Sequence, residues 1–396
     1  MTMISTGRLP VPLSNDAVPG LYVHIPFCRY ICPYCDFNVY AGQSGLIPAY
    51  LDALAGELRL LAETARPDDG VGTVFIGGGT PSLLTAGQVA GLLEAIDDSL
   101  GIMPGAEITM ESNPDNLDFE YCRGLIEAGI NRLSIGVQSV QRPGLKVLGR
   151  LHGAEGAAGA YKTARRAGFD NISVDFIYGW PEQTLEHLEL DIATLLNWQV
   201  DHVSLYALIV EQGTPLARAV RRGQLHPVDD DTVASYYDIA VERLDTAGWE
   251  HYEISNWSRN SGNRSIHNQI YWQNGRYFGA GAGAHSYLGD TRASNVRLPA
   301  RYIETVVTGR LPIASRESID ADLAMGETMM LGLRLLQDGV SAADFQRRHG
   351  TPLDDQYGEL ISHFSGMGLL VRDSDRLRLS ASGALVSNSV LAEFLP

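Results

Sequence analysis

Three of the four cysteines, Cys28, Cys32 and Cys35, fall within eight residues in FCRYICPYCDF, and Cys122 stands far away. Thiolates are soft donors suited to zinc and iron–sulfur centres. Intervals of four and three let one loop wrap a single centre, a spacing unlike that of a disulfide framework. A closed zinc site takes four ligands, so zinc would have to recruit His24 or a remote residue. A [4Fe–4S] cube on three cysteines instead leaves one iron without a protein ligand, open to a small molecule. Cys122, in EYCRGLIEAG, lies on an expected helix and reads as a small buried apolar residue.

Other residues able to do chemistry sit at recurring places. GGGTP spans Gly77 to Pro81, and Glu111, Asn113 and Pro114 follow a later apolar run. Gln138 follows the next, Asp175 and YGWP (Tyr178 to Pro181) close another, and Tyr206 with EQGTP (Glu211 to Pro215) follows the last. The runs that carry them are rich in β-formers: Leu21 to Ile25, Thr73 to Ile76, Glu107 to Met110, Arg132 to Gly136, Asn171 to Phe176 and His202 to Tyr206. Between them, segments such as Pro48 to Ala65 and Thr85 to Leu100 repeat apolar residues at three and four positions, as helices do. Alternating strands and helices give parallel strands with right-handed crossovers, as an open doubly wound sheet or a complete or partial barrel. The preferred class is α/β, a partial (β/α)6 barrel, because in a barrel the strand ends meet on one face where a site can be built.

The chain has 396 residues, with 45% hydrophobic and 19% charged, enough for two to three domains with a large core. Its net charge of −17 opposes binding to nucleic acid or anionic lipid. The first twenty residues contain no apolar signal core and no later run would span a bilayer, so the expectation is a cytoplasmic protein. Recruitment to a membrane surface without an anchor stays open. The expected organisation is a tail over 1–15, the barrel over 16–250 and a connecting segment over 251–298. A mainly helical α+β domain, winged-helix-like, is expected over 299–396. Within it the helices are Leu323 to Leu336, Ala342 to His349 and Gln356 to Met367, followed by a hairpin from Leu369 to Leu379.

CRYICPYC, a CxxxCxxC loop directly after a strand ending YVHIPF, resembles the radical S-adenosylmethionine (SAM) superfamily. The resemblance implies a [4Fe–4S] cluster on Cys28, Cys32 and Cys35 and a fourth iron that chelates SAM. In that superfamily an electron from the cluster cleaves the SAM sulfonium to a 5′-deoxyadenosyl radical, so an electron donor is implied as well. The SAM-binding set it implies is Tyr22, Tyr34, Gly78, Gly79, Thr80, Glu111, Gln138, Arg150 and Asp175. Tyr22 and Tyr34 would flank the nucleoside and the cluster loop. Glu111 and Arg150 would hold the charged methionine end, and Gln138 and Asp175 the ribose hydroxyls. Glycines in GGGTP would let the backbone approach the methionine moiety.

The likeness extends through YVHIPFC, GGGTPSLL, ESNPDNL, GINRLSIGVQS and DFIYGWPEQT into the helical tail, and is to the oxygen-independent coproporphyrinogen III oxidase family. True dehydrogenases of that family carry a fourth cysteine two residues after the third and a longer segment ahead of the loop. Here Phe37 occupies that position and twenty-seven residues precede Cys28. The other branch, the heme chaperones, is marked by HNxxYW, matched by His267, Asn268, Tyr271 and Trp272 in RSIHNQIYW. That branch implies heme as ligand, apo-hemoproteins such as respiratory enzymes as recipients, and a carrier in place of an enzyme. A homodimer is compatible with it. Imidazole can ligate heme iron and aromatic rings can pack on the macrocycle, so His267, Tyr271 and Trp272 are the candidate heme residues. The alternative is radical decarboxylation of coproporphyrinogen III propionates. No residue is assigned a catalytic role from sequence. Phe176, Trp180 and Glu182 replace the usual Leu, Leu and Gly of DLIYGLPGQT, and His24 and His285 are candidates for cluster-proximal or heme-side roles, with satisfied core histidines the preferred reading.

Overall fold

The computed structural model describes residues 18–396, so the expected tail over 1–15 lies outside the described residues. Six strands form the heart of the fold: β1 (Gly20–Ile25), β2 (Val71–Gly78), β3 (Ile102–Ser112), β4 (Arg132–Gln138), β5 (Ile172–Tyr178) and β6 (His202–Ala207). Each pairs in parallel with the next, in sequence order. A parallel sheet needs a crossover between consecutive strands and cover on both faces, and the apolar runs supply what the cover packs against. In β4 every residue is buried, Arg132 included. The crossovers contain the helices α1 (Ile47–Ala65), α2 (Ala86–Leu100), α3 (Phe119–Ala128), α4 (Gly153–Ala167) and α5 (Leu185–Trp198). They begin and end where local chemistry directs. Thr85 and Gln88 form a capping box on α2, and Gly129 and Gly168 close α3 and α4 in the left-handed conformation.

Six strands are too few to close the ring that eight close, so both edges need cover. The segment from 250 to 318 supplies it. Strands β7 (Glu250–Glu253) and β8 (Asn256–Ser258) form an antiparallel hairpin, with β8 paired to β6. On the other edge β9 (Tyr277–Ala280) runs parallel to β1. Beyond it β10 (His285–Leu288), β11 (Thr291–Asn295) and β12 (Ile313–Ser318) continue antiparallel. A twelve-stranded sheet results, ordered β12-β11-β10-β9-β1-β2-β3-β4-β5-β6-β8-β7. The sequence did not announce these short polar strands because their apolar alternation is weak.

The C-terminal part has its own core, built on Met329, Leu333, Phe345, Leu377 and Phe394. Helices Ala321–Gly332, Ala342–His349 and Leu353–Gly366 pack beside a three-stranded sheet that includes the hairpin Leu370–Asp373 and Arg376–Leu379. The departures in DFIYGWPEQT have physical accommodations. Trp180 is fully buried, and a Cβ on Gly144 would lie 2.8 Å from its ring. Glu182 has φ +66°, a backbone conformation that favours glycine.

Candidate functional site

The cysteine loop leaves the end of β1 and is tied at its base. Phe27–Cys28 pairs in parallel with Tyr40–Ala41, and the Tyr40 amide donates to Pro26 O at 2.8 Å. Within the loop the Cys35 amide donates to Cys32 O at 3.1 Å. All three thiols are partly exposed and line one cavity of about 440 Å³ at the strand ends, whereas Cys122 is buried in the core as its helical setting predicts. Burial, together with the neighbouring thiols Cys32 and Cys28, pushes the Cys35 thiol up to about 11, so any metal centre here must displace protons. Three part-exposed thiols from one loop, all lining one cavity, fit a centre held on three protein ligands with a position left for a further ligand.

GGGTP passes directly under this loop. Gly79 N donates to Ile25 O at 2.8 Å and Thr80 N to Phe27 O at 2.9 Å, while the Thr80 hydroxyl points at Cys28 Sγ, 3.4 Å away. A Cβ on Gly79 would lie 2.9 Å from Cys28 Sγ, and one on Gly78, at φ +114°, would strike the His24 ring at 2.7 Å. Glycine is required at both positions. The amide of Gly78 donates to Glu111 Oε2 at 3.1 Å.

The remaining strand-end residues converge on the same cavity. Gly149, at φ +66°, lets the chain pass against Pro33 and brings Arg150 inward. Arg150 then donates to Tyr34 Oη and to Asn113 Oδ1, each at 2.9 Å. Gln138 sits at a bulge between β4 and β5 with φ +68°, which re-aims its side chain into the cavity. Asp175 accepts from Ser134 Oγ at 3.2 Å and is raised above the usual carboxylate range by burial. Burial, with the charge of Asp175 second, pushes Glu111 up to about 8. Two polar atoms at this cavity, Arg150 Nε and Ser112 Oγ, are buried without a partner. Two half-buried carboxyls, a half-buried guanidinium and orphaned donors fit a zwitterionic, hydroxyl-bearing ligand beside the thiols. The expected residues thus come together, with Tyr22 one cavity away. Its hydroxyl pairs with His24 Nδ1 at 2.8 Å, and its ring stacks on Phe75 at 6.2 Å.

With this geometry in place, comparison with known proteins is decisive. Residues 22–195 match the radical SAM superfamily model, and residues 319–386 match the HemN C-terminal domain. The chain is 39% identical to the heme chaperone HemW of Bacillus subtilis, over 94% of this chain and 98% of that one. The HemW of Mycobacterium tuberculosis is 40% identical over 95% of this chain and 94% of its own. The chain belongs to the HemW family. A mouse mitochondrial protein named radical S-adenosyl methionine domain-containing protein 1 is 34% identical over 99% of this chain and 90% of its own. Coproporphyrinogen III oxidase (HemN) from Escherichia coli shares the fold, with a TM-score of 0.83 at 21% identity, over 95% of this chain and 90% of that one.

The HNxxYW segment of this HemW family member does not lie open as a unit. Its residues are in the short helix Ile266–Trp272, capped by Ser265 and by the Glu107 carboxylate, which accepts from Ile266 N and His267 N at 3.0 Å. His267 is 1% exposed. Its Nδ1 pairs with Thr73 Oγ1 at 2.7 Å and its Nε2 with Tyr271 Oη at 2.8 Å, while the ring stacks on Phe75. Burial, with the Arg132 charge second, pulls it down to about 3, so it is neutral. As folded both ring nitrogens are engaged, so contact with iron through His267 would require its pair with Thr73 or Tyr271 to open. Trp272 lies elsewhere, under the Arg334 guanidinium at 4.4 Å. Only Tyr271 of the three reaches a cavity adjoining the cysteine site, one of about 680 Å³ that shares Phe37, Gly78 and Glu111 with the first.

Sequence reasoning missed three residues that build this arrangement. Asn38 donates to Ala282 O at 2.9 Å and Arg297 O at 3.0 Å, joining the cysteine loop to the β9–β10 connection. Glu107 holds the start of the HNxxYW helix, and Arg297 lines the second cavity. An acidic residue inside an apolar strand was the one available signal, for Glu107. Asn38 and Arg297 carried none.

Proposed function

We propose that this chain is a heme carrier that holds a [4Fe–4S] cluster and SAM, binds heme and passes it to apo-hemoproteins such as respiratory enzymes. The observation that carries this reading is likeness over nearly the whole chain to proteins named heme chaperone HemW. For the coproporphyrinogen oxidase the likeness, at 21% identity, is one of fold. Cys28, Cys32 and Cys35 would hold the cluster. When bound, that group supplies an iron open to SAM and an electron for it. Glu111 and Arg150 would hold the ammonium and carboxylate of SAM, and Gln138 and Asp175 its ribose hydroxyls. Gly78, Gly79 and Thr80 would give its methionine end a close backbone wall, and Tyr34 would orient Arg150 through their 2.9 Å hydrogen bond. Tyr22 would back the wall through His24. An electron donor would meet the exposed rim of the loop.

Phe37 stands where the oxidases carry a further cysteine, and it is 69% exposed between the two cavities. An aromatic face there suits a flat apolar ligand better than a fourth thiolate would. Among the described residues no helix is long and apolar enough to cross a membrane. The acidic surface would keep a carrier apart from anionic lipid until a recipient recruits it.

The test is titration of hemin into anaerobically reconstituted protein, followed by the Soret band, with coproporphyrinogen III turnover assayed on the same preparation. Saturable binding without decarboxylated product is expected. Product formation without saturable hemin binding would overturn the carrier reading in favour of the oxidase.

A further inference from the structure

The second cavity has the chemistry that heme requires. A heme site must offer a ligand to iron, aromatic or apolar faces to the macrocycle, and a cation to the propionates. The cavity of about 680 Å³ is lined by His285, Tyr277, Phe37 and Arg297, and its size lies within the range of sites that bury a small organic ligand. Its two histidines differ completely. His24 is 6% exposed, with Nδ1 paired to Tyr22 Oη and Nε2 to Asn38 O at 2.9 Å. His285 is exposed at the start of β10, and its ring makes no hydrogen bond among the described residues.

The ground beneath His285 is rigid. The preceding loop, Gly281 to Ala284, is held from below by Glu57, a fully buried carboxyl on α1. Glu57 Oε2 accepts from Gly281 N at 2.8 Å and Tyr302 Oη at 2.5 Å, and Oε1 accepts from Asn295 Nδ2 at 2.6 Å. Tyr50 Oη accepts from Ala282 N at 2.7 Å, and Asn38 ties Ala282 O to the cysteine loop. So much buried polar anchoring under one loop fixes the side chain that leaves it, as a preorganised ligand needs.

Resting on the carrier reading, we propose that His285 is the protein ligand to heme iron. The macrocycle lies against Phe37 and Tyr277, and a propionate meets Arg297. Arg292 is already committed to Glu317 and Glu327, whereas Arg297 donates through Nε to Asn38 Oδ1 at 3.3 Å and makes no carboxylate pair among the described residues. Phe37 and Gly78 belong to both cavities, so heme would lie beside the cysteine site. Tyr271, whose hydroxyl bonds His267 Nε2, contributes the HNxxYW motif's one contact with this cavity.

The experiment compares hemin binding by full-length wild type and His285→Ala, following the Soret maximum, the electron paramagnetic resonance signature and the apparent Kd. The His285 ring is exposed and makes no hydrogen bond among the described residues, so the variant should melt like the wild type. In the variant, affinity should fall tenfold or more, the axial-imidazole signature should vanish, and added imidazole should restore it. Wild-type affinity and spectrum in His285→Ala would overturn the assignment while leaving the carrier reading intact. Absence of saturable hemin binding in the wild type would overturn both.

Discussion

The cysteine loop and the HNxxYW helix carry equally conspicuous residues, yet the fold uses them in opposite ways. At the loop, Cys28, Cys32 and Cys35 are partly exposed, and Arg150 Nε and Ser112 Oγ beside them have no partner. In the helix, His267 is 1% exposed and both its nitrogens are taken. The difference teaches that residue type alone does not mark a ligand-binding group: it must also reach a cavity with bonding capacity left to spend. A polar group left unpaired in a buried place costs free energy until something occupies it, while one fully paired has already contributed what it can to the fold.

Substitutions should separate the two regions cleanly. Cys32→Ser removes one of three thiolates from a loop whose base is held by backbone pairing through Phe27–Cys28 and Tyr40–Ala41. After anaerobic reconstitution the variant should lose nearly all iron and sulfide by chemical assay, while its unliganded melting curve stays close to wild type. A variant that keeps a full complement of iron would break the comparison, because the loop would not then be the binding group.

His267→Ala should do the reverse. It leaves Thr73 Oγ1 and Tyr271 Oη short of a partner and opens a gap beside Phe75. Unpaired buried hydroxyls and a cavity together cost about 3–5 kcal/mol. Urea denaturation should report that loss, with iron and sulfide content unchanged in the protein that remains folded. A His267→Ala protein as stable as wild type would mean that the ring is free for a ligand after all.

The same distinction explains what the sequence disclosed. The six strands and their crossovers were legible because apolar runs and helical periodicity are local. The convergence of Glu111, Gln138 and Asp175 followed from parallel strands ending on one face, whereas Arg150 is delivered by the turn after the helix Arg142–Val147. The short strands from Glu250 to Ser318 were not legible, since their place in the sheet is set by the open edges of β1 and β6, which are distant in sequence. Nor were the histidines. The sequence favours a core reading for His24 and His285 and a ligand reading for His267, whereas their partners order them differently: two for His24, two for His267 and none among the described residues for His285.

The smallest expected effect sharpens the comparison within the cysteine-side cavity itself. Glu111 is held up at about 8 by burial and then by the charge of Asp175, with only the Gly78 amide opposing. At pH 7 its carboxyl is therefore largely protonated before ligand arrives. An ammonium group placed beside it would favour the carboxylate and drive the proton off. For a group raised in this way, the free form suited to a cation gains population as pH rises through about 8. Binding of SAM should accordingly tighten on going from pH 6 to pH 7, by up to about tenfold, the equivalent of ~1.4 kcal/mol, and level off near pH 8, where the ligand's own α-ammonium loses its proton. Calorimetry at pH 6 in two buffers of different ionisation enthalpy should show close to one proton released. Glu111→Gln should abolish the proton release and flatten the pH dependence. Proton uptake on binding, or a steep dependence that survives in Glu111→Gln, would show that the cation is held by another group and that this carboxyl is as fully spent as His267.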